Sequence, residues 1–145
     1  MTSFFPSFAE TIRRSGYQVR NDQDAAHELY HALTCGIYLP GGGMLQRENL
    51  NDVIEERFTG LDRWWNEVEA RAVERLMCER LGTIHQLLSF DRALLLSIEE
   101  AEHFGVPVVS FEKTKKYALK FIESKRAKSA VDLMLAYARR EELAR

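Results

Sequence analysis

The residues of this sequence with the clearest chemical potential are two histidines four positions apart, His27 and His31. Glu28 follows the first of them, so the segment has the H-E-x-x-H pattern. On an α-helix, residues four apart lie on one face, and both imidazoles can therefore reach the same metal ion. Glu28 lies about 100° further round, where its carboxylate can take a proton from a metal-bound water. The pattern predicts a Zn²⁺ site with hydrolytic chemistry.

A catalytic zinc ion needs a third protein ligand, which is expected here to be an acid from a second helix. A downstream glycine and histidine on the same segment are excluded, because those two positions hold Thr34 and Ile37. Glu67 is favoured because it lies in the most clearly predicted helix. The other acidic candidates, which stay open at this point, are Glu48, Glu55, Glu56, Glu69 and Glu74.

These residues are expected on helices whose ends are marked by capping residues and glycines. The histidine helix is predicted to begin near Asp22 or Asp24 and to end at Gly36, and the Glu67 helix to run from Asp62 to Gly82. Apolar residues at steps of three and four indicate the buried face of the Glu67 helix. They are Leu61, Trp65, Val68, Ala72 and Leu76.

The rest of the chain is also predicted to be mainly helical. Further helices are expected over about 7–16, 49–58 and 91–104, after the capping residue Ser110, and over about 129–143. Extended chain is expected only at 17–19 and 106–110. The fold class is therefore a compact, mainly α single domain over 1–145, with at most a rudimentary β element. Its motif region covers about 22–82, and a basic helical part covers about 110–145.

The motif residues resemble a known family. Ala26–Leu33 reads A-H-E-L-Y-H-A-L, and Glu67–Ala70 reads E-V-E-A. Together they resemble the ImmA/IrrE-type metallopeptidases, in which an H-E-L-x-H-A-L helix precedes an E-x-E-A-N-type helix. The resemblance implies a zincin-like core that holds zinc through His27, His31 and Glu67.

The same resemblance has consequences for activity and substrate. It implies that Glu28 is the general base of a small zinc-dependent metallopeptidase that hydrolyses a peptide bond in a protein. Members of the family are often encoded by phages or mobile elements and cleave repressor or antitoxin proteins. Arg71 stands where the family has Asn or Asp.

Composition narrows the class of protein. Of 145 residues, 46% are hydrophobic and 29% are charged, which is ordinary for a soluble globular domain and excludes a disordered or collagen-like chain. Two cysteines indicate no disulfide framework, and the expected compartment is the cytoplasm. No apolar stretch is long enough to span a bilayer, so no membrane partner is expected.

The charge is distributed unevenly along the chain. Residues 1–112 carry a net charge of −8 and residues 113–145 one of +6. The favoured explanation is a basic segment that neutralises the acidic body of its own chain or of a second copy, which would make a homodimer. Alternatively, the chain is a non-catalytic helical interaction protein that binds a protein partner through Lys115, Lys116 and Lys120. Nucleic acid is a further possible partner, although no recognition motif accompanies these lysines.

A third alternative is a degenerate HD-type phosphohydrolase. The stretch from Glu69-Ala70-Arg71 to Asp91-Arg92 loosely resembles the later helices of that all-helical fold. The family's adjacent His-Asp pair is absent, and the nearest approach to it is Gln23-Asp24.

Overall fold

A computed structural model describes residues 22–34, 58, 60–82 and 88–143. These form five helices, α1 (Asp22–Thr34), α2 (Leu61–Leu81), α3 (Phe90–His103), α4 (Phe111–Ile122) and α5 (Lys125–Leu143). The described part contains no strand, which confirms the prediction of a mainly helical fold. None of these helices is both long enough and apolar enough to cross a bilayer.

Several predicted features lie outside the described residues. They include the predicted helix over 7–16, the weak strand over 17–19 and all but the last residue of the predicted helix over 49–58. Three of the acidic candidates for the third ligand also lie there, namely Glu48, Glu55 and Glu56.

Helix α2 is central, because it packs against each of the other four helices. The predicted buried face of α2 is partly wrong. Trp64 is fully buried and Trp65 only half-buried, while Leu61 is 41% exposed. A helix surrounded by four others buries residues on more than one face, so the apolar period alone does not identify its inner side. The buried residues of α2 are Trp64, Asn66, Val68, Glu69, Ala70, Ala72, Val73, Glu74, Met77, Cys78 and Leu81.

The larger of two hydrophobic clusters joins α1, α2, α4 and α5. Small side chains contribute from both α1 and α2, among them Ala25, Ala26 and Ala70, and all three are fully buried. Because helix separation depends on the side chains at the contact, these alanines allow α1 to approach α2 closely. Leu29 is also fully buried, and burying a side chain of this size stabilises the fold by about 1.5–3 kcal/mol.

The second cluster holds α3 and α4 against another side of α2. Trp64 is its largest buried side chain, and the indole Nε1 donates a hydrogen bond of 3.3 Å to Thr114 Oγ1 on α4. Segment 106–110, expected to be extended, connects α3 to α4 as irregular chain, and its valines pack on this cluster.

Serine side chains mark the start of three helices. Ser110 Oγ accepts a hydrogen bond from the backbone N–H of Lys113, as its predicted capping role requires. Ser89 caps α3 in the same way, one residue before that helix begins. The predicted start of the last helix at Ser129 is wrong, since Ser124 accepts from the backbone of Ala127 and α5 begins at Lys125.

Candidate metal centre

Two histidines of α1 and one glutamate of α2 converge at the interface between these helices. His27 Nε2 and His31 Nε2 lie 3.2 Å apart, as expected for residues one helical turn apart on the same face. Glu67 Oε1 lies 3.0 Å from each of these nitrogens. All three side chains are largely buried, with 13%, 11% and 26% of their surface exposed. The structure thus brings together the three residues that the sequence pattern singles out.

A chain of hydrogen bonds determines which nitrogen of His31 faces the glutamate. Thr34 Oγ1 donates to the carbonyl oxygen of Tyr30 at 3.0 Å, so it accepts from Asn66 Nδ2 at 2.9 Å. This orients the Asn66 amide oxygen towards His31 Nδ1, 2.7 Å away, and the Nδ1 atom must carry the proton. His31 Nε2 is left with a lone pair directed at the site, which is the tautomer that a metal ligand needs.

Three atoms face one another at this site, namely His27 Nε2, His31 Nε2 and Glu67 Oε1. All three are therefore hydrogen-bond acceptors unless a proton or a cation lies among them. Without a metal, the proton resides on His27. Burial alone would lower the pKa of His27, but the Glu67 carboxylate opposes burial and raises the pKa to about 10. Burial would raise the pKa of Glu67, and the charge on His27 instead lowers it well below the usual value. The site thus favours positive charge at its centre.

The donor set fits a zinc ion. Two imidazole nitrogens and one carboxylate oxygen form the His₂Glu set of catalytic zinc sites, which keep a fourth position open. Zinc binds such donors at about 2.0–2.2 Å, so tetrahedral donors lie about 3.3 Å apart. The observed separations of 3.0–3.2 Å need to widen by only a few tenths of an ångström.

The second oxygen of Glu67 is held by residues that sequence reasoning did not identify. Ser97 Oγ on α3 donates to Glu67 Oε2 at 2.8 Å, and Arg71 Nε donates to Ser97 Oγ at 2.7 Å. Glu67 Oε1 is consequently the oxygen that faces the histidines. Ser97 lies 30 residues from Glu67, and no local pattern connects the two. Asn66 could have been suspected only because it directly precedes Glu67.

Glu28 lies on α1 beside His27 and is partly exposed. Its carboxylate has no hydrogen-bond partner among the described residues. Its partial exposure and its place next to His27 in the chain are compatible with the expected role of general base, which requires a carboxylate that accepts a proton.

The acid two residues after Glu67 belongs to a different network. Glu69 is buried on another side of α2 and accepts hydrogen bonds from Tyr30 at 2.7 Å and Tyr117 at 2.6 Å. Arg126 Nη2 lies 3.2 Å from both Glu69 oxygens. Burial and the Glu69 charge raise the pKa of both tyrosines. This carboxylate joins α1, α2, α4 and α5, and it is not among the atoms facing the histidines.

The lysines expected to bind a partner lie on α4. Lys116 and Lys120 are exposed, whereas Lys115 forms an ion pair of 3.0 Å with Asp91 at the start of α3. Together with the Arg126–Glu69 contact, this pair shows that the basic segment neutralises some acids of its own chain. Cys78, expected to be a buried residue and not a ligand, is fully buried. Cys35 lies outside the described residues.

Comparison of the chain with protein-family models, with curated proteins and with solved structures found no match. A function for this protein therefore has to be inferred from its own residues, above all from the geometry of His27, His31 and Glu67.

Proposed function

We propose that this protein binds one zinc ion through His27, His31 and Glu67 and is a zincin-like hydrolase acting on a peptide bond of a protein substrate. The observation that carries the proposal is the convergence of three acceptor atoms within 3.2 Å of one another in a largely buried position. Such an arrangement is unfavourable without a central positive charge, and it has the composition of a catalytic zinc site.

Each residue then has a defined part. Asn66 keeps the proton of His31 on Nδ1, and Ser97 occupies the outer oxygen of Glu67. When bound, zinc supplies Lewis-acid chemistry that polarises a carbonyl group and makes water more acidic. Glu28 removes a proton from the attacking water as the new C–O bond forms. It then returns that proton to the amine nitrogen as the C–N bond breaks.

The first experiment is the metal content of untagged protein, measured by mass spectrometry after zinc has been supplied and the excess removed. We expect about one zinc per chain in the wild type, as a single three-ligand site requires. The His31→Ala variant should lose it. The matched control is His103→Ala, because His103 is exposed on α3. This variant should bind zinc like the wild type. A wild type without zinc would refute the proposal.

Hydrolysis is tested separately from metal binding. The Glu28→Gln variant keeps the size of the side chain but cannot accept the proton, so it should bind zinc like the wild type and lose activity. Loss of a general base typically costs about 10²–10⁴-fold in rate. A mixture of internally quenched peptides reports cleavage. If Glu28→Gln cleaved as fast as the wild type, Glu28 would not be the base.

A second candidate function is favoured by the surface of α4. Leu119 is 49% exposed, and two exposed lysines lie close to it along the helix, Lys116 three residues before it and Lys120 one residue after it. A basic face with an apolar residue suits an acidic protein partner, of which a second copy of this chain is one. Sedimentation equilibrium at low and high salt tests the second copy. A salt-sensitive dimer that the Lys116→Glu/Lys120→Glu variant abolishes would support it, and a monomer throughout would contradict it.

A further inference from the structure

Two buried polar atoms face each other behind the candidate metal centre. His27 Nδ1 and Glu74 Oε2 lie 3.7 Å apart, and neither has a hydrogen-bond partner among the described residues. The separation exceeds that of an N–H···O hydrogen bond, which is 2.7–3.2 Å. Leaving a buried polar atom unpaired is costly, so a movement that brings these two atoms within hydrogen-bond distance would be favourable.

The other oxygen of Glu74 is already held. Arg71 Nη1 donates to Glu74 Oε1 at 3.1 Å, and the Glu74 side chain is only 2% exposed. The pairing of Arg71 with Glu74 thus directs the remaining oxygen of Glu74 at the imidazole.

Arg71 also holds the third metal ligand. Its Nε atom donates to Ser97 Oγ, which donates in turn to Glu67 Oε2, and Arg71 Nε itself lies 3.5 Å from that oxygen. One guanidinium therefore donates both to the serine that holds Glu67 and to the carboxylate that faces His27. This is the position at which Asn or Asp would stand in the family that the motif resembles, and here it holds a cation.

We propose that Glu74 is the positioning residue for His27. It accepts the His27 Nδ1 proton when Nε2 binds the metal, and Arg71 holds it in place. The inference rests on the proposed zinc site. Metal-bound histidines generally donate their other N–H to a carboxylate or carbonyl oxygen, and Asn66 already meets this requirement for His31. Glu74 meets it for His27, from seven positions after Glu67 and two turns further along α2.

The expected geometry follows from the spacing of the donor atoms. His27 Nε2 and Glu67 Oε1 lie 3.0 Å apart, and to bind one zinc ion they must separate by a few tenths of an ångström. Displacement of the His27 ring away from Glu67 carries Nδ1 towards the side of the ring where Glu74 lies. The contact of 3.7 Å should then shorten to a hydrogen bond.

The test compares two glutamate-to-glutamine variants on α2. Glu74→Gln keeps the shape but removes the charge that attracts the His27 proton, and it should weaken zinc binding by about 10–100-fold. Glu79→Gln is the matched control, because Glu79 is exposed, pairs only with Arg75 among the described residues and should leave the affinity unchanged. Competition with a chromogenic chelator measures the affinities. Equal zinc affinity of the Glu74→Gln variant and the wild type would overturn the inference.

A measurement on the wild type keeps the inference testable if Glu74→Gln fails to fold. In zinc-loaded protein, a two-bond ¹H–¹⁵N correlation spectrum identifies the nitrogen of each histidine that carries a proton. We expect His27 to be protonated on Nδ1, with slow exchange of that proton with solvent. Coordination of zinc through His27 Nδ1, or fast exchange of this proton, would overturn the role of Glu74.

The outcomes also separate this inference from the proposed function. A wild type that binds no zinc refutes the zinc site itself. A wild type that binds zinc with an unprotonated His27 Nδ1 leaves the zinc site standing and removes only the positioning role. The Glu74→Asp variant distinguishes the position of the carboxylate from its charge. It keeps the negative charge beside Arg71 but moves the carboxylate away from His27, so zinc affinity should fall while the variant folds like the wild type.

Discussion

Zinc binding at this centre should release a proton and strengthen steeply with pH. Without a metal, the pKa of His27 is about 10, because the Glu67 carboxylate outweighs the opposing effect of burial. At pH 7 His27 is therefore protonated, and zinc has to displace that proton. Between pH 7 and pH 9 the affinity should rise about tenfold per pH unit. That is about 100-fold in all, or about 2.7 kcal/mol at 1.36 kcal/mol per unit.

Two assays measure this linkage. Isothermal titration calorimetry at pH 7 in buffers of different ionisation enthalpy gives the number of protons released, which should be about one for His27. Chelator competition at pH 7, 8 and 9 gives the slope of affinity against pH. The Glu67→Gln variant tests whether the Glu67 carboxylate is what raises the pKa of His27. Without the carboxylate, burial lowers the pKa of His27, so binding at pH 8 should be weaker and should release almost no proton.

A zinc affinity that is constant between pH 7 and pH 9, or a lack of proton release at pH 7, would contradict this prediction. Either result would mean that His27 is already neutral in the metal-free protein. The interaction between His27 and Glu67 would then be an ordinary hydrogen bond, and the site would not favour a positive charge at its centre.

Other expectations concern stability and the residues around the ligands. In metal-free protein, the raised pKa of His27 contributes stability that is present in full below about pH 6.5 and is lost as the pH rises towards 10. The lowered pKa of Glu67 contributes stability that is lost as the pH falls below about 4.5, so urea unfolding should show a maximum between these limits. Asn66→Ala should reduce zinc affinity about 10–100-fold in chelator competition, because His31 loses the acceptor that keeps the proton on its Nδ1 atom. Ser97→Ala should weaken zinc binding about tenfold in the same assay, since it frees the outer oxygen of Glu67. Met134→Ala should lower the free energy of unfolding by about 2–5 kcal/mol in urea, because Met134 is fully buried in the larger core, and should leave zinc stoichiometry unchanged.

Each of these expectations has a clear contrary result. A flat stability profile between pH 5 and pH 9 would contradict the charge coupling in the metal-free site. Unchanged affinity after removal of the amide or the serine hydroxyl would show that the ligands hold their orientation by packing alone. If Met134→Ala also abolished zinc binding, the geometry of the site would depend on the packing of the larger core.

Local features of the chain were predictable because short-range physics produces them. The cap at Ser110 was expected from residue type and spacing, and the structure contains it. The helix expected to begin near Asp22 or Asp24 is described over Asp22–Thr34. The placement of His27 and His31 on one face follows from the helical repeat alone. Residue type does not decide which of two nearby serines caps a helix. Ser124 caps α5, whereas Ser129, the predicted cap, lies within that helix.

Whether Glu67 or Glu69 faces the histidines depends on contacts between helices that are distant in the sequence. Both acids lie on α2, two residues and so about 200° apart, and either fits the sequence pattern. The packing of α2 between four helices turns Glu67 towards the histidines and Glu69 towards Tyr30 and Tyr117. The helices and the pair of histidines on one face were predictable from the sequence, because they depend on neighbours within a few residues. The carboxylate that faces the histidines and the groups that hold it come from helices that meet from distant parts of the chain, so they follow only from the packing of α2.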